Sequence, residues 1–555
     1  MRIRVRTVHR EPVTRLGTTG GETGLMQVVA IPRLVSRMFS DESLTKKAYL
    51  NAVAATLDYC AQLLVGFLVT PILVGSLGDH YYGTWRVLER LMGYLSPASG
   101  RPAQALKYTL ANRQASADYE EKRRGVGSTL AIWALFLPLM GLLGGVLAWL
   151  APYLLDAPPE SVWIVRLTAG ILVANLALSG LVDVPRSVLE GENLGYKRMG
   201  LSACLVFAGG GLTWLALHLG GGLVGVATAS LIATVLTGVL FLQVVRQYAS
   251  WFGVAKPSAA AVRRFLGLSW WFLAWHLIMR LMMASDLVLL GLLGSTELVT
   301  TYSLTKYAPE TVISIVAIVA FGIAPGLGGI IGSGDLKRAT QLRNEIMVFT
   351  WLIVTVLGFT ILLWSWRFIS LWVGTQHFAG SLPMLLISIV VVQFVLIRND
   401  GNIIDLTLRL ERKVVIGALS VGLSLLFAAV LVSYFDLGII GVCLGFIAGR
   451  SVLTVGYPLM VGRVLGVSFS TQVRGALKPA LITLLLFLVA SAMAESARTS
   501  SLFNQMGWLG LALSVGFTSV LVLVLLFYTG LSSRQRQRVL GRARTVVGMA
   551  TGGQL

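Results

Sequence analysis

The sequence predicts an all-α polytopic membrane protein of about 14 transmembrane helices, built as two six-helix lobes in parallel repeat plus two C-terminal helices. Three observations carry that prediction. Of 555 residues, 55% are hydrophobic and only 13% charged, with a mean hydropathy of +0.78, whereas a water-soluble chain is about a quarter charged. The apolar residues fall in blocks long enough to cross a bilayer, which takes about 20 residues of helix. Basic residues alternate between successive connections, and landmarks recur at an offset of about 215 residues.

The first 47 residues carry nine Lys or Arg and only short apolar patches, so they read as a basic cytoplasmic extension without a signal peptide, with an interfacial helix expected around 26–39. Fourteen apolar segments follow, near 49–76, 81–106, 126–152, 162–185, 199–219, 223–245, 266–292, 298–330, 347–373, 382–408, 414–434, 438–462, 479–495 and 506–529. The N-terminal stretch, the even-numbered connections and the tail after 529 together hold 35 Lys or Arg, while the odd-numbered connections hold one, Arg498. Positive charge is retained on the cytoplasmic side, so both termini are expected there, in the cell (inner) membrane. The net charge of +20 is therefore a topological signal beside anionic headgroups, and no nucleic-acid partner is expected.

The repeat rests on four landmarks. Leu77-Gly78 matches Leu293-Gly294, Trp149 matches Trp364, Lys197-Arg198 matches Arg412-Lys413, and Gly225-Val226 matches Gly441-Val442, at offsets of 215 or 216. Six spans per copy is an even number, so both copies enter the membrane in the same sense, with a cleft expected between them. The expected organisation is a basic extension at 1–47, an N-lobe at 48–245, a cytoplasmic linker at 246–265, a C-lobe at 266–462, two appended spans with their preceding loop at 463–529, and a basic tail at 530–555.

Ionisable groups at membrane depth are costly and mark cavities or each other. In span two, Tyr82, Arg86, Glu89, Gly93, Ser96, Gly100 and Gln104 recur every three or four residues and share one helical face, with Arg90 and Arg101 on its shoulder. That stripe reads as a cavity lining, with Pro97 and Pro102 able to kink it. Snorkelling is the plainer account of Arg86 and Arg90 alone. Span eight carries Ser303, Lys306, Glu310 and Ser314 on one face, where Lys306 and Glu310 are four apart and can pair. Span seven places Arg280 about 20 Å from either end, with His276 and Asp286 on the same span. Arg280 needs either a permanent acidic partner, such as Asp286 or Asp58, or an anionic substrate. In span ten, Arg398-Asn399-Asp400-Gly401-Asn402 reads either as a broken helix at a substrate cavity or as a kinked helix with local ion pairs. The candidate substrate-binding set is thus Arg280, Arg86, Arg90, Glu89, Arg101, Lys306, Glu310, Arg398 and Asp400.

No nucleotide-binding loop, no catalytic motif and no room for an extramembrane domain is visible, so neither an enzyme nor a cofactor is expected. The three cysteines, Cys60, Cys204 and Cys443, lie in apolar blocks and spell neither a metal site nor a disulfide framework.

Over about 47–530 the chain resembles the multidrug, oligosaccharidyl-lipid and polysaccharide (MOP) exporter superfamily, specifically its polysaccharide-transporter branch of Wzx-type flippases, relatives of the lipid II flippase. The residues that carry the resemblance are 77–85 at the first-span exit, the turn at 190–197 and the sixth-span opening at 223–227. The long basic N-terminal extension departs from the pattern. The resemblance implies a two-lobed bundle with a cationic central cavity and alternating access. It further implies movement of polyprenyl-pyrophosphate-linked oligosaccharide to the outer leaflet for O-antigen or exopolysaccharide synthesis, with membrane lipids and assembly proteins such as a polymerase as partners. Two alternatives stand beside it: a multidrug or small-molecule antiporter, for which an acidic cavity is expected, and a non-transporting scaffold of an envelope-assembly complex.

Overall fold

The computed structural model describes residues 44–96, 102–112, 118–192, 194–198, 200–257, 259–332, 335–405, 410–500, 503, 505–531 and 535–537. The expected interfacial helix at 26–39, most of the basic tail, and Arg101 and Gly100 of the span-two stripe lie outside them. The described chain is helical, in the order α1 Leu44–Leu95, α2 Pro102–Asn112, α3 Tyr119–Leu154, α4 Val162–Gly191, α5 Leu201–His218, α6 Gly222–Tyr248, α7 Ala259–Leu293 and α8 Thr296–Gly332, then α9 Leu336–Trp372, α10 Ser381–Asp405, α11 Leu410–Ser433, α12 Gly438–Leu465, α13 Phe469–Arg498 and α14 Trp508–Thr529. From α3 onward each helix corresponds to the span of the same number.

Twelve helices among the described residues are long and apolar enough to cross a membrane. The difference from fourteen has two sources. Spans one and two run together in α1, and α8, which carries Glu297, Lys306 and Glu310, is not among the twelve. Large apolar side chains such as Trp163 (70% exposed), Leu509 (75%) and Phe517 (72%) cover the outer surface, a face that only lipid can cover at this density. The protein is a multi-pass membrane protein.

Within α1 the helix breaks at Gly78, whose φ of 73° and ψ of 169° suit only glycine. The Tyr307 hydroxyl donates to the Leu63 carbonyl (3.1 Å) and the Thr300 hydroxyl to the Asp79 carbonyl (2.6 Å), so the stretch before Gly78 runs antiparallel to α8. The stretch after it runs parallel, since Gly83 lies against Thr296 and Arg90 against Glu310. The chain therefore reverses on a single glycine, and both arms flank α8. The later part of span two is described as α2.

Several helices overrun their apolar segments on the basic side. α3 begins at Tyr119 rather than 126 because Asp118 caps it, accepting from the Glu121 amide at 3.0 Å. α9 begins at Leu336 rather than 347 under a like cap from Asp335 to the Arg338 amide (3.0 Å), and α13 begins at Phe469 rather than 479, capped by Ser468. Side-chain caps at these ends satisfy backbone groups that would otherwise lack partners.

The two lobes repeat one packing scheme. α3 packs on α4, α4 on α6 and α5 on α6, and six spans later α9 packs on α10, α10 on α12 and α11 on α12. Gly210 of α5 faces Val65 of span one, as Gly417 of α11 faces Ile278 of α7. The charged turns repeat as well. Arg198 binds Glu190 eight residues earlier at 3.1 Å, and Lys413 binds Asp405 eight residues earlier at 2.5 Å. Both members of the second pair lie 215 residues beyond the first. α13 and α14 pack on α9, joined by Thr355 to Thr483 (2.6 Å) and by the Trp364 indole to the Thr518 hydroxyl (2.9 Å). The two appended helices thus belong to the outside of the second lobe.

Candidate functional site

Where the two lobes meet, span two of the first lobe presents Arg86, Glu89 and Arg90 toward α7 and α8 of the second. The approach is close because the facing residues are small. A β-carbon on Gly83 would collide with the Thr296 carbonyl, and one on Gly291 would stand 2.6 Å from a Val87 methyl. Deeper in the contact the Tyr94 hydroxyl donates to Ser285 at 3.0 Å.

The charges in this layer are mostly spoken for. Asp286, buried, accepts from the Lys306 ammonium, from the Tyr302 hydroxyl at 2.8 Å and from the Leu287 amide at 2.9 Å. Lys306 also binds Glu310 at 2.9 Å, and Glu310 reaches Arg90 at 3.9 Å across the lobe boundary. Arg86 pairs with Glu89 one turn along its own helix at 3.0 Å. The Nε atoms of Arg86 and Arg90 are buried without a hydrogen-bond partner.

Arg280 is different. It is exposed, its Nη1 lies 3.7 Å from where a β-carbon on Gly93 would be, and it stands in the fields of Arg90 and Glu89. Among the described residues it makes no ion pair. Both partners expected for it are engaged elsewhere: Asp286 by Lys306 and Tyr302, and Asp58 by Arg198 at 3.6 Å. Among the described residues the layer holds four cations (Arg86, Arg90, Arg280, Lys306) against three anions (Glu89, Asp286, Glu310), and Arg280 is the cation left over.

The span-ten residues stand apart from this layer. α10 is continuous from Ser381 to Asp405, so the polar run does not break it. Asp400 is buried and accepts from Arg343 Nε (3.0 Å) and Nη2 (2.7 Å), while the Asn399 amide donates to Thr350 at 2.7 Å. Arg398 is half-buried on the same helix. The ion pair of Asp400 is with Arg343, 57 residues away, so this acid ties α10 to α9.

Toward the charge-poor ends a second set of interlobe bonds was not anticipated. The Asp79 carboxylate pairs with His377 at 2.7 Å, His80 with Glu297 at 3.2 Å and with Thr296 at 2.8 Å, and the Trp372 indole donates to the Phe67 carbonyl at 2.7 Å. The partners are separated by about 215–305 residues, so spacing offers no clue to them. The only signal was that polar residues crowd the first-span exit.

No protein-family model matches the sequence, and no curated protein matches it. Solved structures do match. The lipid II flippase MurJ in an inward closed conformation aligns with a TM-score of 0.63 at 13% identity, over 85% of this chain and 97% of that one. A multidrug resistance MATE transporter of the MOP superfamily, inward-facing, aligns at 0.58 and 17% identity over 78% and 98%. A MOP superfamily transporter from Pyrococcus furiosus, described by a reversed polarity of its binding pocket, aligns at 0.54 and 16% over 76% and 97%. The fold is that of the MOP-superfamily transporters. The MOP structures it resembles are transporters and a flippase rather than enzymes, with a lipid II flippase and a multidrug resistance transporter both among them.

Proposed function

We propose that the protein is a flippase that carries a polyprenyl-pyrophosphate-linked oligosaccharide from the cytoplasmic to the outer leaflet, within the Wzx-type branch of the MOP superfamily. The observation that carries this reading is Arg280, an exposed arginine at mid-span whose two candidate acidic partners are both taken. An arginine kept at membrane depth without a partner costs several kcal/mol on insertion scales, and an arriving pyrophosphate is a charge that offsets it. A guanidinium grips that group through paired hydrogen bonds, which a lysine reproduces poorly. Arg90 and Arg86, each with a free Nε, stand as second contributors.

An antiporter of organic cations needs available carboxylates. In this layer Asp286 is saturated, Glu310 shares Lys306 and Arg90, and Glu89 pairs with Arg86, which favours an anionic cargo. For the cargo to pass outward, the interlobe bonds of Asp79 to His377 and His80 to Glu297 must break, so these contacts serve as the outer gate in an alternating-access cycle. The test is substitution at Arg280. Arg280→Ala and Arg280→Lys are expected to depress transport of lipid-linked oligosaccharide at least tenfold at unchanged protein abundance. Normal transport by Arg280→Ala at wild-type abundance would remove it from the site.

A further inference from the structure

Two further polar residues of span two, Ser96 and Gln104, lie outside the charged layer. Ser96 lies one turn beyond Gly93, against which Arg280 rests, and Gln104 lies on α2. Both line an open cavity of about 370 Å³ between α2, α3 and α4 within the first lobe, with Trp133, Ser179, Asp183 and Arg186 among its other walls. That volume falls in the range of small-molecule sites, roughly 300–1,000 Å³.

The chemistry of its lining separates it from the arginine layer. Among the described residues the charged groups on its wall are Lys107, Arg186, Asp183 and Glu190, two cations and two anions. Glu190 is held by Lys107 (2.8 Å) and Arg186 (3.1 Å) and, from outside the wall, by Arg198 (3.1 Å). A phosphate would call for surplus positive charge here and a cation for surplus negative charge; the described residues of this wall offer neither. It offers neutral hydrogen-bonding groups beside an aromatic ring. The Trp133 indole is anchored by its N–H to the Ala177 carbonyl at 3.0 Å and packs over Gly180, where a β-carbon would meet the ring at 2.9 Å. Gln104 is exposed and makes no hydrogen bond to a described residue. An indole with hydroxyl and amide groups around it suits a molecule with an apolar ring face and several hydroxyls.

We propose that this cavity is a subsite for an uncharged sugar ring of the lipid-linked substrate, one that reads the sugar while the arginine layer holds the phosphate. The assignment rests on the flippase reading above and gives it a place for specificity. A single polar stripe serves both halves of the ligand. Arg86, Glu89 and Gly93 face the charged layer, and Ser96 and Gln104 face the neutral cavity.

The test uses the full chain in lipid nanodiscs and two kinds of probe: farnesyl pyrophosphate, and farnesyl pyrophosphate carrying one glucose, galactose or N-acetylglucosamine. At least one sugar-bearing probe is expected to bind at least tenfold more tightly than the bare one. Gln104→Leu, with Ser179→Ala as a second and milder variant, is expected to cut that advantage to about twofold while leaving the affinity for farnesyl pyrophosphate unchanged. Equal binding of bare and sugar-bearing probes, no binding of any sugar-bearing probe, or an advantage that survives both substitutions would overturn the subsite. Failure of the flippase reading is seen in another arm: bare farnesyl pyrophosphate would then bind Arg280→Ala as well as it binds the unaltered protein.

Discussion

At the scale of single residues, the protein separates charges that hold the bundle together from one that does not. Lys306 and Asp286 are buried against each other, and removing one partner strands the other in a medium where an unpaired ion costs about 3–5 kcal/mol. Lys306→Met is therefore expected to lower abundance and thermal stability by that order, with Asp286→Asn producing a similar loss, as read from the melting of the detergent-solubilised protein. Asp400→Asn is expected to do the same through Arg343. A drop in transport at unchanged melting temperature for any of these three would move that residue into the transport site. The pairing of Lys306 with Glu310 was legible from the sequence because four residues make one helical turn. Its bond to Asp286, 20 residues away on another helix, and that of Asp400 to Arg343, 57 away, were not. A local pattern reports which side chains share a face, not which helix that face meets. Arg280 was singled out by depth alone, and only the structure shows that its expected partners are occupied.

At the scale of elements, each of the fourteen apolar segments falls on a helix, but the segments mark the apolar part of a helix and not its ends. Asp118, Asp335 and Ser468 extend helices into the basic side by capping them in water, where hydropathy carries no information. The polar run 397–402 remains helical because Asp400 and Asn399 find buried partners on α9. Spans one and two pack on α8 through Gly83, where any side chain would drive the helices apart at the Thr296 carbonyl. Gly83→Val is expected to impair transport strongly and to lower abundance, a result checked by immunoblot beside the transport assay. The outer-gate role assigned to the contact of Asp79 with His377 predicts that a cysteine pair at these two positions, in a chain freed of Cys60, Cys204 and Cys443, cross-links under oxidation. Transport should then stop and return on reduction. Continued transport by the cross-linked protein would show that this end does not open.

At the scale of the whole molecule, the offset of 215 residues seen in a few dipeptides reappears as repeated packing and as the paired turns Glu190 with Arg198 and Asp405 with Lys413. The duplication is therefore physical, with each copy pairing a cation at the base of its fifth span to an acid eight residues earlier. The distribution of 35 basic residues against one on the two sets of connections predicts both ends cytoplasmic. Reporter fusions at Pro158, Gly221 and Gln376 should report outside, and those at Asp118 and Asp335 inside. A reversed pattern at two or more of these sites contradicts that orientation. The central claim concerns what the two lobes move, and it is tested most directly by leaflet-specific labelling of lipid-linked oligosaccharide in cells lacking the protein. The account predicts continued synthesis with the intermediate accumulating on the cytoplasmic leaflet and restored to the outer leaflet by the intact gene; loss of synthesis itself, or an unchanged distribution between leaflets, would contradict it.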